Sequence, residues 1–237
     1  MKTQPRGHPG FTKMELAVLI VLLLVVAAIS APVVMKRGGR APGRTEAINN
    51  IKQAGVMLIE FESDYGKFPD DETALEVKRI TNTDFTLTGQ YSNDYLRQML
   101  PGGGGKSEKP FWCKTALSPK KADDNFSTPA KALEAGEVGF SYIMASPTKG
   151  QKSSEEPNRP VLVTASYNFQ PDWTFDPEPF HGKAVVLRLD NSATAMQIRK
   201  DNKKVSTTSG KTLGDTGEKT PWGTNMTPVL RAPQPRP

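Results

Sequence analysis

One acidic residue, Glu15, stands at the start of an apolar run that extends from Leu16 to Val34. A carboxylate at membrane depth costs about 2.5 to 3.5 kcal/mol, so an acid in such a position marks a functional site by default. A buried charge becomes tolerable when it is paired with a charge of opposite sign. The chemistry that this position favours is therefore an ion pair in apolar surroundings.

The rest of the chain offers few groups that could catalyse a reaction. The two histidines are His8 and His181, and Cys113 is the only cysteine, so neither an intrachain disulfide nor a multi-cysteine metal site can form. The sequence contains no paired-histidine metal spacing, activated-serine elbow or Cys/His arrangement. We expect a buried or half-buried, unreactive thiol at Cys113 and no enzymatic activity.

Clusters of acids are the remaining candidates for a ligand site. There are three, namely Asp70, Asp71 and Glu72; Asp123 and Asp124; and Asp172, Asp176 and Glu178. Carboxylates are good calcium ligands, but none of these clusters has a recognisable calcium-loop spacing. The sequence favours solvated loops and no cofactor, with calcium as the alternative.

The distribution of charge argues against a nucleic-acid partner. The formal net charge of +6 arises around the apolar run, because residues 45–237 contain 24 basic and 24 acidic side chains, and within them residues 45–198 contain 16 basic and 21 acidic ones. A nucleic-acid-binding domain needs a basic face to neutralise phosphates. We therefore expect no nucleic acid among the partners.

The apolar run is long enough to cross a bilayer. Residues 16–34 would form a helix of about 28 Å, close to the roughly 30 Å of the hydrocarbon core. Three interpretations compete: a plain transmembrane anchor, a secretory signal cut after Ala28–Ser30, or an anchor with a processing site at its front.

Behind this segment the pattern predicts an α+β head. A basic linker rich in Gly and Pro, 36–44, breaks the helix, and an amphipathic helix runs from Thr45 to about Asp64. Residues 70–138 are interpreted as a variable insertion of short helices and loops. Strand signals follow at 139–144, 160–169 and 183–199, the last divided by a turn at 190–192. We expect the helix to pack on a small antiparallel sheet of three or four strands within a head at 45–199, followed by a disordered tail at 200–237.

The stretch GFTKMEL, Gly10 to Leu16, resembles the cleavage site of type IV prepilins. The resemblance implies a leader, 1–10, that a membrane-embedded aspartyl peptidase removes between Gly10 and Phe11, with methylation of Phe11. It implies a transmembrane assembly helix at 11–35, kinked at Pro32. It also implies that Glu15 faces the N-terminal ammonium of a neighbouring subunit in a filament.

Two later stretches strengthen this resemblance. NNIKQAG, 49–55, and YGKFP, 65–69, are similar to the segment that follows the membrane helix in G-type pseudopilins, some of which bind calcium near their C-terminal loops. FHGKAVVLRLDNS, 180–192, resembles a C-terminal signature of one prepilin-like group, although Asn191 stands in place of its Gly.

The function implied is a structural subunit of a type IV pilus or a type II secretion pseudopilus. Its expected partners are itself and other pilins, the prepilin peptidase, an inner-membrane assembly platform and the lipid bilayer. The expected location is the bacterial inner membrane, single-pass, with the head in the periplasm or, after assembly, on the cell surface. The basic residues of 36–44 outnumber those before the span, so a positive-inside count would instead place the head in the cytoplasm.

Two other functions remain open. The chain could be a membrane-anchored extracytoplasmic binding module or adhesin that shares only the prepilin-type anchor and uses 70–138 for recognition. It could also be an ordinary secreted protein.

Overall fold

The computed structural model describes residues 13–14, 16–18, 20, 22, 42–103, 105–164, 166–167 and 171–236. The chain divides into two compact units, Met1–Ala41 and Pro42–Pro237. The described residues of the first unit are helical.

The fold class predicted from the sequence is wrong in its transmembrane helix. Among the described residues, no helix has both the length and the apolar character needed to cross a membrane. Hydropathy measures whether a run could span a bilayer, but it does not fix where the backbone forms a continuous helix. The predicted processing, assembly and kink residues, Gly10, Phe11, Glu15 and Pro32, lie outside the described residues.

The second unit begins with a long helix, α1, Pro42–Tyr65. It starts three residues earlier than predicted, because a proline is tolerated in a first turn, where its missing N–H has no helical partner. The helix ends where Gly66 adopts a φ of +75° and donates its N–H to the Glu62 carbonyl at 2.7 Å. Its buried apolar residues recur every three or four positions: Ala47, Ile51, Ala54, Leu58 and Phe61.

An antiparallel sheet lies against α1. Its strands are β1 (Phe140–Met144), β2 (Pro160–Thr164), β3 (Lys183–Arg188), β4 (Ala193–Gln197) and β5 (Val229–Arg231), in the order β4-β3-β2-β1-β5. The predicted hairpin is present, since β3 pairs with β4 through a turn in which Asn191 has a φ of +59°.

Both faces of the sheet are covered, which the sequence pattern does not predict. In β3, Val185 and Leu187 join the apolar cluster that contains α1, whereas Ala184 and Val186 join a second cluster on the opposite face. That second cluster includes residues of the C-terminal segment. A strand expected to be half-buried is therefore buried on both sides.

The predicted disorder of 200–237 is not what the structure shows for 200–236. Arg231 pairs with Tyr142, so β5 extends the sheet beside β1. Trp222 is 1% exposed, and its Nε1 donates to the Leu213 carbonyl at 2.7 Å. The few apolar residues of this segment are widely spaced and lack a helical or strand period, although Val205, Leu213 and Trp222 join the apolar cluster on the second face of the sheet.

The insertion contributes two further helices, α2 (Asp71–Thr81) and α3 (Ser92–Leu96), and 3-10 turns at Arg97–Met99 and Lys109–Phe111. Leu96, Met99 and Phe111 are fully buried in the α1 cluster. The insertion is therefore part of the core of the head, and its loops are held at fixed positions.

Candidate functional site

The first acid cluster of the sequence, Asp70 to Glu72, forms the start of α2. Asp70 Oδ1 accepts hydrogen bonds from the backbone N–H groups of Glu72 and Thr73 at 2.9 and 2.8 Å, while Thr73 Oγ1 accepts from the Asp70 N–H. Oδ2 accepts from Gly150 N–H at 3.2 Å and lies 3.0 Å from Lys67 Nζ. Asp70 is completely buried, and both of its oxygens have partners. This cluster is a helix cap.

The third acid cluster, Asp172 to Glu178, forms local turns in a loop. Asp172 accepts from the backbone N–H of Thr174 at 3.0 Å, and Asp176 accepts from that of Glu178 at 3.0 Å. Such two-residue contacts stabilise turns and leave the acids at the surface. Asp172 and Glu178 are exposed, and Asp176 is half-buried.

The second acid cluster is joined by two acids that the sequence does not mark. One carboxylate oxygen from each of Glu108, Asp123 and Glu137 lies within 4.8 Å of the other two. We call these three residues the acidic cluster. Among the described residues it is the only group of three or more His, Cys, Asp or Glu side chains that approach in this way.

Glu108 is held in place by hydrogen bonds of its backbone and of one of its two carboxylate oxygens. Its N–H donates to Asp124 Oδ1 at 2.8 Å, and its carbonyl accepts from Phe111 in the 3-10 turn at 3.0 Å. Its Oε1 accepts from the Leu133 N–H at 2.6 Å. The other oxygen, Oε2, is buried and has no hydrogen-bond partner among the described residues.

Glu137 and Asp123 share an ammonium group. Lys120 Nζ lies 2.9 Å from Glu137 Oε1, 2.8 Å from Glu134 Oε2 and 3.4 Å from Asp123 Oδ2. Glu137 Oε2 accepts from the Glu134 N–H at 2.7 Å. Lys120 therefore neutralises one side of the acidic cluster.

The backbone around Lys120 explains how distant residues meet. The Lys120 N–H donates to the Gly136 carbonyl at 3.1 Å, and the Gly136 N–H donates to the Gln234 carbonyl at 3.1 Å. Gly136 has a φ of +87°, a conformation that side chains rarely adopt. A glycine turn and the C-terminal segment together hold Glu137 beside Lys120.

The electrostatic surroundings of Glu108 and of Lys120 differ. The pKa of Glu108 is raised to about 7, mainly by burial; nearby Glu137, Asp123 and Asp124 contribute to the rise, and the Leu133 N–H opposes it. Hydrogen bonds to Glu134 and Glu137 raise the pKa of Lys120 above its ordinary value. Lys120 is thus firmly charged, whereas Glu108 resists ionisation because its free oxygen meets no cation.

Chemically, the arrangement is suited to holding a hard cation. Carboxylate oxygens are the donors that calcium and magnesium prefer, and the cluster contributes no sulfur or nitrogen ligand.

Sequence reasoning found Asp123 and missed its partners. Glu108 lies between Lys106 and Lys109, and Glu137 belongs to the stretch EAGEV. Both acids therefore have the sequence surroundings of ordinary surface residues. Their separation along the chain matches no known ligand spacing. Only the packing of the insertion brings them together.

Cys113 lies close to this region and is buried, as predicted. Its Sγ is 3.3 Å from the Gly139 carbonyl oxygen, to which it donates, and burial raises the pKa of the thiol well above its ordinary value. A protonated, buried thiol is a poor nucleophile. His181 is an exposed turn residue with a φ of +54°.

A surface cavity of about 450 Å³ lies beside the C-terminal segment and is lined by Arg159, Arg188 and Trp222, among others. Arg159 is paired with Glu155 at 2.6 Å, and Arg188 donates to Thr194 Oγ1 at 2.9 Å. Glu155 therefore neutralises Arg159, whereas the partner of Arg188 is a neutral hydroxyl.

Comparisons of the chain with protein-family models, with curated proteins and with solved structures give no match. Arguments about function therefore depend on the residues and contacts of this chain.

Proposed function

We propose that the chain is a structural subunit of a type IV pilus or a type II secretion pseudopilus. In this proposal a prepilin peptidase cuts after Gly10, Phe11 becomes the methylated amino terminus, and the subunit assembles through its N-terminal segment. Its partners are other copies or related pilins, the peptidase, the lipid bilayer and an inner-membrane assembly platform.

One observation carries the proposal: the described N-terminal side chains expose apolar surface. Met14, Leu16, Val18, Ile20 and Leu22 are between 50% and 78% exposed. Several large apolar side chains exposed within nine residues provide a surface that lipid or another protein can cover. A subunit that first lies in a bilayer and then packs against other subunits uses such a surface twice.

The head adds a second supporting observation. The face of α1 that is turned away from the sheet exposes two large apolar side chains, Val56 at 47% and Ile59 at 40%. Such positions on a surface helix are normally polar. They offer a place for neighbouring subunits to contact α1 in a filament.

Glu15 has a specific part in this proposal. A methylated amino terminus remains a protonated amine at neutral pH, so it can pair with a carboxylate in apolar surroundings. Pairing Glu15 of one subunit with Phe11 of the next would set the axial register of the filament. An unpaired Glu15 carboxylate in apolar surroundings would cost free energy, so its pairing would favour the docking of one subunit on the next.

The proposed location follows from this assembly. Before assembly the subunit is single-pass in the bacterial inner membrane with its head in the periplasm, and after filament growth the head lies in the periplasm or on the cell surface.

The first test is mass spectrometry of the N-terminal peptide from the protein in its native membrane. The proposal expects a terminus at N-methylated Phe11. A terminus at Ala31 would indicate a secreted protein, and an intact Met1 would indicate a plain anchor; either result would contradict the proposal.

The second test separates assembly from processing. We expect Glu15→Ala to be cleaved normally but to be missing from sheared filaments, while the control Asp201→Ala, an exposed loop acid, assembles like the wild type. Assembly of Glu15→Ala at the wild-type level would remove the role given to Glu15. A wild-type protein that stays in the membrane as a monomer would instead favour the binding-module alternative.

A further inference from the structure

The acidic cluster contains a buried oxygen whose hydrogen-bonding capacity is not used. Glu108 is 0% exposed, and its Oε2 has no hydrogen-bond partner in the described part of the chain. Buried polar atoms are nearly always paired, and each exception needs a cause. For a carboxylate oxygen beside two other carboxylates, the partner that is missing is a cation.

The charges around the cluster are unbalanced. Five carboxylates lie in this region, belonging to Glu108, Asp123, Asp124, Glu134 and Glu137, against three ammonium groups, those of Lys109, Lys120 and Lys131. With all of these groups ionised the excess is two negative charges, the charge that one divalent cation supplies. Lys120 pairs with Glu137, Glu134 and Asp123, and within the described residues no ion pair reaches Glu108.

We propose that the acidic cluster binds a divalent cation, calcium in preference to magnesium, with Glu108, Asp123 and Glu137 as carboxylate ligands. Calcium–oxygen distances of about 2.3 to 2.6 Å place opposite ligands about 5 Å apart, and the three oxygens here lie within that separation. Asp123 is exposed, so the cation can enter from solvent and keep water as further ligands.

The preference for calcium follows from where the ligands lie in the chain. Glu108 precedes a 3-10 turn, Asp123 belongs to a loop, and Glu137 follows the glycine turn at Gly136. Magnesium demands a near-ideal octahedron at about 2.0 to 2.1 Å, whereas calcium accepts irregular geometry. Ligands from three separate loops suit the larger and less demanding ion.

This site is independent of the proposed filament role. The prepilin resemblance implies calcium near C-terminal loops, whereas these three acids precede the first strand. The inference stands on the geometry of the head alone.

The test is a titration of the purified full-length chain, first stripped with a chelator, by calorimetry and by thermal unfolding. Surface loop sites bind calcium with Kd of about 10⁻⁴ to 10⁻³ M, so calcium is added up to about 10 mM. At ten times Kd we expect the melting temperature to rise by about 3 to 6 °C. Magnesium at the same concentration should give a smaller rise.

Two variants assign the ligands. Glu108→Gln keeps the shape of the side chain and should weaken calcium binding at least about tenfold. Asp172→Asn, which changes an acid of the third cluster, should bind calcium like the wild type. Thermal unfolding of both variants in chelator checks that each one folds. If Glu108→Gln does not fold, the same titration is made with Glu137→Gln.

Three results would overturn the proposal. The first is a wild-type melting temperature that calcium does not change. The second is wild-type affinity in Glu108→Gln. The third is calcium binding by Lys120→Met but not by the wild type, which would identify Lys120 as the cation that fills the cluster.

Discussion

Asp70 and Glu108 are both fully buried acids in the same insertion, yet their surroundings differ. Both oxygens of Asp70 have partners: the first turn of α2, the Gly150 N–H and Lys67. Glu108 has a donor for one oxygen only. A helix start presents several unused N–H groups in one place, whereas loops supply donors singly.

This contrast separates structural acids from candidate ligands. A carboxylate whose lone pairs are used by the backbone contributes to folding and has little capacity left for a metal. A carboxylate with an unused buried oxygen makes folding less favourable when it is ionised, unless a cation joins it. The two acids should therefore respond to substitution with opposite signs.

The largest expected effect is at the helix cap. Asp70→Ala should lower the free energy of unfolding by about 3 to 5 kcal/mol, because it removes the cap and leaves Lys67 without its buried partner. Glu76→Ala, an exposed acid of the same helix paired only with Arg79, should change it by less than about 0.5 kcal/mol. Urea unfolding measures both, and similar losses for the two would contradict the capping role.

Glu108→Gln should stabilise the metal-free protein at neutral and alkaline pH but not at acidic pH. Because the pKa of Glu108 rises from 4.5 to about 7 on folding, the folded state binds the extra proton between these values, and wild-type stability falls as the pH rises through them. The groups that face Glu108 are Glu137, Asp123, Asp124 and the Leu133 N–H.

At pH 8 the glutamine variant should be more stable than the wild type by about 2 to 3 kcal/mol. The two should converge near pH 4, where Glu108 is protonated in the folded and unfolded states alike. Unfolding in chelator across this range measures the difference, and a difference independent of pH would show that Glu108 does not titrate as the geometry implies.

Lys120→Met should lower the free energy of unfolding in chelator by about 1 to 2 kcal/mol, because three carboxylates lose their shared ammonium. The Lys120 side chain is 26% exposed, which reduces the loss by solvent screening. Lys121→Met is the matched control, since Lys121 is exposed and lies 5.9 Å from the Trp112 ring centroid. Equal losses of unfolding free energy in the two variants would show that Lys120 does not stabilise the three carboxylates.

The smallest effect is expected in the third cluster. Asp172→Asn keeps an oxygen that accepts from the Thr174 N–H, so the free energy of unfolding should change by less than about 0.5 kcal/mol. Thermal unfolding measures it. A loss above about 1 kcal/mol would mean that the charge of Asp172 has a partner that these contacts do not include.

The features that the sequence predicted correctly are those that depend on residues close together in the chain. The amphipathic spacing of α1, its end, which was predicted near Asp64 and lies at Tyr65, and the turn at Asn191 each depend on a few consecutive residues. The buried state of Cys113 also agrees with the prediction. The start of α1 was misplaced only because Pro42 is compatible with a first turn.

The error about the tail concerns contacts between distant segments, and the error about the N-terminal segment is a separate one. The tail was predicted to be disordered because its composition lacks a period, but Trp222 and Leu230 are buried against the sheet. The transmembrane helix was predicted from hydropathy and from the prepilin resemblance, and no helix of the described residues has the required length and apolar character.

The sequence by itself determined the helix and the hairpin turn, because each depends on neighbouring residues. Tertiary structure alone decided that β3 is buried on both faces and that Glu108 and Glu137 meet Asp123. The physical reason is that an acid's chemistry depends on the donors and charges around it. For Glu108 these come from residues 15 to 29 positions away, and no local spacing specifies them.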